Sequence, residues 1–309
     1  MRVLVTGGAG FIGSNLVRVL ADGGDTVVVI DDLSTGYADN LVGLDCTFVQ
    51  GSILDVDTLA RAASGVEAIV HLGALGSVPR SVKDPLASHH ANATGTVHVL
   101  EAARREGAYV TAASSSSVYG SVPDLPRVET LATRPLSPYA ASKAATEAYV
   151  LAYASSYGLE TLPFRFFNVY GPRQTAGHAY AAVIPKFIDA ALRGEPLPLE
   201  GDGEQTRDFT FVDTVTSVLA TAVHDRVTSD RPVNLALGTN ISLLELIEDL
   251  EAILGRPLPV LAKPARVGDV RASQSDPECL SQLFPRVPTT PFTSGLRATV
   301  EWFLTSQAY

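Results

Sequence analysis

The chain is short of cysteine. It has two in 309 residues, Cys46 and Cys279, and no CxxC pair. That is too few for a disulfide framework and suits a reducing compartment, so a cytoplasmic protein is expected. It has no run of Lys or Arg, and its formal net charge is -10, which argues against nucleic acid and anionic membranes as partners. An anionic ligand would have to be held by a few placed cations. No stretch reaches the ~20 apolar residues of a membrane span. Glycines break "MRVLVTGGAGFIG" before a signal-peptide core can form. The six histidines show no metal-ligand spacing: His89 and His90 are adjacent and point to different helix faces, so no metal is expected.

What is present is an ordinary globular composition, 46% hydrophobic and 18% charged. The apolar runs 2–6, 26–31, 46–51, 68–73, 108–115 and 160–171 read as strands. Between them lie segments of helical spacing, opened by Ser, Asp or Pro and several of them closed by Gly. This alternation predicts an α/β fold, a doubly wound parallel sheet whose strands are buried on both faces. After about residue 170, Pro and Gly punctuate the chain and a helix is expected over 241–254. The expected organisation is a dinucleotide-binding domain over 1–168, to which the chain returns around 209–236, and a smaller substrate-binding region over 169–309.

"TGGAGFIG" sets Gly7, Gly10 and Gly13 between the first strand and the first helix. Gly7 allows the turn, Gly10 lets the backbone approach a pyrophosphate, and Gly13 permits close helix–strand packing. The helix N-terminus offers N–H groups to the phosphates. Asp31, 18 residues after Gly13 at the end of the second strand, can accept both adenosine ribose hydroxyls and repel a 2′-phosphate. NAD is therefore favoured over NADP in a Rossmann-type domain. The competing reading is a Gly-rich turn beside a surface Asp.

"SPYAASKAATE" then supplies Tyr139 and Lys143, four apart on one helix face. With the G-x-x-G-x-x-G turn, this Y-x-x-x-K resembles the short-chain dehydrogenase/reductase proteins. A phenol with a reference pKa of about 10 is a poor base at neutral pH. A nearby lysine and the positive nicotinamide favour the phenolate. The fifth strand runs into "SSSSVYG", at the edge of a parallel sheet where ligands bind. Ser115, 24 residues before Tyr139, completes the Ser-Tyr-Lys set of that superfamily. Ser114 caps or is solvated and receives no role.

The wider resemblance is to the NAD-dependent epimerase/dehydratase family of extended short-chain dehydrogenase/reductases. Within it the chain is most like the UDP-hexose 4-epimerases, in "NATGT", "PLSPYAASK", "RFFNVYGPRQ", "GDGEQTRDF" and "RVGDVRASQSD". "ALGSVPRS" and "AYAAVIPKF" resemble the branch acting on N-acetylated UDP-hexoses. Dehydratases of the superfamily carry an Asp-Glu pair where this chain has Ser116 and Ser117. The resemblance implies that Gly7, Gly10, Phe11, Ile12, Gly13, Asp31, Asp32, Ile53, Leu72, Asn92, Tyr139 and Lys143 contact NAD. Ser52 replaces the usual Asp that meets the adenine. It also implies that Asn168, Arg207, Arg266 and Asp269 hold the UDP, with Leu199 in the "LPLE" segment that lines the uracil. Gly76, Ser77, Ala182 and Ser273, all small, with Ser116 and Ser117, would border the sugar, and a small residue at 273 leaves space for an N-acetyl group. A homodimer through helices near 86–105 and 138–157 is expected. The alternatives are a UDP-glucuronate 4-epimerase, a nucleotide-sugar dehydratase, and a non-catalytic NAD-sensing regulator on the same fold.

Overall fold

The computed structural model describes residues 1–177, 181–264 and 271–306. Six parallel strands follow the apolar runs: β1 (Arg2–Thr6), β2 (Thr26–Asp31), β3 (Cys46–Gln50), β4 (Ala68–His71), β5 (Tyr109–Ser115) and β6 (Thr161–Phe166). They pair in the order β6-β5-β4-β1-β2-β3. Alternate side chains of each strand meet helices on opposite faces. Leu4, Val28, Ile69 and Val110 pack with Leu59, Val99, Leu100 and Val150. These come from α2 (Val56–Ala63), α5 (Gly95–Glu106) and α6 (Pro138–Tyr157), which share that face. Val3, Val5 and Val29 pack on the other face with Leu16 and Leu20 of α1 (Phe11–Asp22). Burial from both sides is why these strands read as unbroken Val/Ile/Leu runs. Only β3, at the sheet edge, is largely open to solvent.

Local chemistry sets the helix ends. The Ser137 hydroxyl accepts the Ala140 N–H at 3.1 Å, Pro138 fills the first turn, and Gly158 ends α6 in the left-handed region at φ 69°. Two short helices, α3 (Val78–Lys83) and α4 (Pro85–His89), precede a single π-type turn over His90–Thr94 that leads into α5. The sequence from 85 to 107 reads as one helix; the wide turn falls at its centre, around Asn92.

The run 160–171 is not one strand. After Phe166 the chain leaves the sheet, and β7 (Asn168–Tyr170) pairs instead with β10 (Phe209–Phe211). The Asn168 N–H donates to the Asp208 carbonyl at 3.1 Å, and Phe167 turns into a small core with Val118, Tyr119 and Ala236. Between these come α7 (Val183–Leu192), β8 (Leu197–Glu200) and β9 (Thr206–Arg207). The chain then returns to the sheet. α8 (Val212–His224) sets Val215 and Leu219 beside α1, and β11 (Val233–Leu235) pairs in parallel with β6 as the seventh strand.

A second core joins α7 and β8 to α9 (Leu243–Leu254) and α11 (Phe292–Ser306) around Tyr170, Phe209 and Phe211, while the short α10 (Glu278–Leu283) sets Leu280 in the core beneath the large sheet. Ser242 caps α9 through a reciprocal capping box with Glu245. β12 (Ile241–Ser242) and β14 (Ala272–Ser273) flank β9, and β13 (Val260–Lys263) pairs with β8. Among the described residues no helix is long and apolar enough to cross a membrane.

Candidate active site

A cleft of about 860 Å³ follows the carboxyl ends of β1, β2, β4 and β5. Its lining includes Gly7, Gly10, Phe11, Ile12, Gly13, Asp31, Asp32, Ser52, Ile53, Leu72, Gly76, Ser115, Tyr139, Lys143 and Ala182. The glycine turn is dense: a Cβ on Gly13 would stand 2.2 Å from the Gly7 carbonyl oxygen and 2.7 Å from the Gly8 Cα. Gly7 itself has φ 71°, and a Cβ there would meet the Gly73 nitrogen at 2.8 Å. The N-cap of α1 is Gly10, which has no side chain to take up the first-turn N–H groups, and this suits an anion there. Asp31 accepts the Ala9 N–H at 3.0 Å through one oxygen and the Leu33 N–H at 2.8 Å through the other. Burial pushes its carboxyl up, and those two N–H groups oppose the rise. Each oxygen keeps a lone pair for a further donor. The turn and the carboxylate fit a dinucleotide.

Tyr139, Lys143 and Ser115 meet at the other end. The Lys143 ammonium is nearly buried and donates to the Ala113 carbonyl at 2.7 Å. Burial brings its pKa down to about 8, with Glu147 opposing the fall. Burial also pushes the Tyr139 phenol up, against a hydrogen bond from Ser115. Burial is the larger of these two effects on the phenol, and the Lys143 Nζ is turned to the Ala113 carbonyl.

A second cavity of about 380 Å³ shares Phe167, Val169, Gln174 and Ala182 with the first. Asn168, Lys186, Glu200, Gln205 and Arg207 line it. Gly76 faces open space, with nothing within 4 Å of a Cβ built on it.

Several expected residues lie elsewhere. Asn92 is buried: its amide donates to Ser142 at 2.9 Å, accepts the Leu75 N–H at 2.8 Å, and does not line the cleft. The π-type turn directs it inward. Leu199 packs in the second core while Pro198 and Glu200 line the cavity, as strand alternation requires. The Ser77 hydroxyl caps α3, accepting the Arg80 N–H at 3.1 Å. Ser116 and Ser117 form a 3-10 turn after β5 outside the cleft lining, and the Ser117 N–H donates to the Ser115 Oγ at 3.2 Å. Ser273 pairs with Arg207 across β14 and β9 and lines neither cavity. Arg266 and Asp269 fall outside the described residues.

Other contributors receive no role in the sequence reading, although Arg173 and Asp208 lie within motifs that carry the resemblance. Arg173 lines the cleft and donates to the Ser14 carbonyl at 2.9 Å, tying the 171–174 loop to α1. Asp208, fully buried, accepts from the backbone of Gly238, Thr239 and Ser275 and from the hydroxyls of Thr239 and Ser275. It gathers the loops next to β7 and β9. His71 joins Thr6 at 2.8 Å and Thr96 at 3.1 Å, and burial holds it neutral with a pKa of about 3.

Known proteins resemble this chain in sequence and in fold. The model of the NAD dependent epimerase/dehydratase family matches residues 3–236, which hold the glycine turn, Asp31 and the Tyr139–Lys143 pair. The UDP-glucose 4-epimerase of Mycolicibacterium smegmatis is 40% identical over 311 residues, covering 98% of each chain. The UDP-N-acetylglucosamine 4-epimerase from Methanobrevibacter ruminantium, solved in complex with UDP-N-acetylmuramic acid, has 36% identity and a TM-score of 0.94 over 99% of both chains. The UDP-glucose 4-epimerase of Thermus thermophilus, solved with NAD, has 36% identity and a TM-score of 0.89 over 100% of both. Matched in sequence along its length and in the course of its backbone, the chain belongs to the NAD dependent epimerase/dehydratase family.

Proposed function

We propose that this protein is a UDP-hexose 4-epimerase working with NAD. The observation that carries the reading is the meeting of Ser115, Tyr139 and Lys143 at one end of a cleft whose other end is the glycine turn and Asp31. The turn and the N-terminus of α1 would hold the pyrophosphate, Asp31 the adenosine ribose, and Lys143 the nicotinamide ribose. When bound, NAD supplies a hydride acceptor and donor facing the sugar. Tyr139, as the phenolate that Lys143 and the positive nicotinamide favour, would take the proton from the C4 hydroxyl, with Ser115 hydrogen-bonding the same oxygen. Asn168 and Arg207, in the adjoining cavity, would hold the diphosphate region, a guanidinium being suited to paired phosphate oxygens. Firm contacts there and loose contacts on the sugar let the hexose turn about its diphosphate link and present its other face.

The absence of a carboxylate at Ser116 and Ser117 supports epimerisation over water elimination. For the hexose, Gly76 and Ala182 support an N-acetylated sugar, since both are small and line the cleft. Ser273, outside both linings, gives that preference no support. The test is to incubate the purified protein with UDP-glucose, UDP-N-acetylglucosamine and UDP-glucuronate separately and follow the anomeric protons by NMR. The galacto epimer of the acetylated sugar is expected. Conversion of UDP-glucose alone would keep the mechanism and remove the support from Gly76. No conversion of any, with NAD supplied, would overturn the reading.

A homodimer belongs to the same proposal. Val82 and Leu86, 66% and 68% exposed on α3 and α4, lie on helices that pack beside α6, which exposes Tyr149 and Tyr157. Exposed apolar side chains on neighbouring helices suit a partner surface.

A further inference from the structure

Tyr139, Lys143 and Glu147 follow one another at four-residue intervals on α6, forming a stripe that runs from the cleft into the interior. Glu147 is 5% exposed, and both of its oxygens are engaged. Oε1 accepts from the Ser114 hydroxyl at 2.6 Å and from Arg165 Nε at 2.9 Å, and Oε2 accepts from Arg165 Nη2 at 2.9 Å. Ser114 and Arg165 are register partners on β5 and β6, so they present their side chains together to α6. Arg165 is fixed in turn, 4.7 Å over the Tyr119 ring and donating to the Glu129 carbonyl.

We propose that Glu147 is a positioning residue that keeps Lys143 as an ammonium ion beneath the cleft, with Ser114 and Arg165 holding the carboxylate in place. A buried ammonium given only the Ala113 carbonyl would lose its proton sooner than leave water as a cation. The groups around it narrow the source of compensation. On α6 these are Tyr139 and Glu147. On β4 there is His71, which is neutral. On β6 there is Arg165, already paired with Glu147. β5 brings only hydroxyls and the Ala113 carbonyl, and Asn92 and Thr96 are uncharged. Glu147 is the carboxylate acting on Lys143, and it acts to raise the lysine pKa. Its bidentate contact with Arg165 fixes where that negative charge sits, which makes the pair part of the site's electrostatics as well as its packing.

The sequence offers a direct readout, since it contains only four lysines, Lys83, Lys143, Lys186 and Lys263. With carbon-13 lysine, the Cε resonance of Lys143, assigned by its loss in Lys143→Met, is followed against pH. A midpoint near 8 is expected in the natural protein. Glu147→Gln should lower it by about one pH unit or more. Because that change strands a buried Arg165, the double variant Glu147→Leu/Arg165→Met, which leaves no guanidinium unpaired, is measured beside it and should show the same direction. An unchanged midpoint in either folded variant overturns the proposal. The consequence for turnover rests on the function proposed above: if Lys143 must be charged, activity falls as pH rises through its midpoint, and Glu147→Gln moves that alkaline limb downward. The lysine titration does not depend on turnover, so a protein that converted no UDP-sugar could still show the shift.

Discussion

Gly13 is where a single carbon decides whether the cleft exists. An alanine there would drive its Cβ into the Gly7 carbonyl, backbone against backbone, with no flexible side chain to yield. Gly13→Ala should lower stability by about 1–3 kcal/mol, the usual cost of overpacking, and weaken NAD binding with it. Urea unfolding and calorimetric titration with NAD check the two effects. Tyr139→Phe is expected to do the opposite: the fold and the retained cofactor stay intact while turnover drops by about 10²–10⁴, the range of a lost general base. Retained activity in that variant would remove Tyr139 as the base. Both residues are legible in the sequence because their signals are local, a glycine spacing and an i, i+4 pair. Asn92 is not, because its direction depends on one π-type turn, which the surrounding helical sequence conceals.

At the scale of elements, buried carboxylates join segments that sequence proximity does not. Asp208 pins two stretches of loop, at 238–239 and at 275, to the start of β10, and Glu147 joins α6 to β5 and β6. Asp208→Asn would turn an amide NH2 toward donors that need an acceptor. We expect about 1–3 kcal/mol for each donor left unpaired, read as a lower urea midpoint with an unchanged slope. The second cavity, lined beside these loops by Asn168 and Arg207, should lose UDP affinity with it. None of this is readable from the sequence. An acidic residue in a Gly-rich loop looks the same whether it is solvated or fully buried, and its partners lie 31 and 67 residues away. The parallel sheet is readable, because burial on both faces leaves continuous apolar runs. Its break after Phe166 is not, because "FFNVY" remains apolar while it changes partners.

Over the whole molecule, the exposed apolar residues of α3, α4 and α6 give the proposed dimer a definite test. Leu86→Glu with Tyr149→Glu should halve the mass seen by light scattering and leave the fold unchanged, since both side chains already face solvent. A natural protein that is monomeric at micromolar concentration would remove the interface. The path of the chain between its two cores has a different consequence. Residues 209–235 supply β10 to the smaller sheet, then α8 and β11 to the larger one, before the chain goes back to build α9. Neither half owns a continuous stretch of sequence that could be cut out or exchanged with a relative's. A change of sugar preference in such a molecule has to accumulate one side chain at a time along the loops, with the cofactor half inherited unaltered beside it.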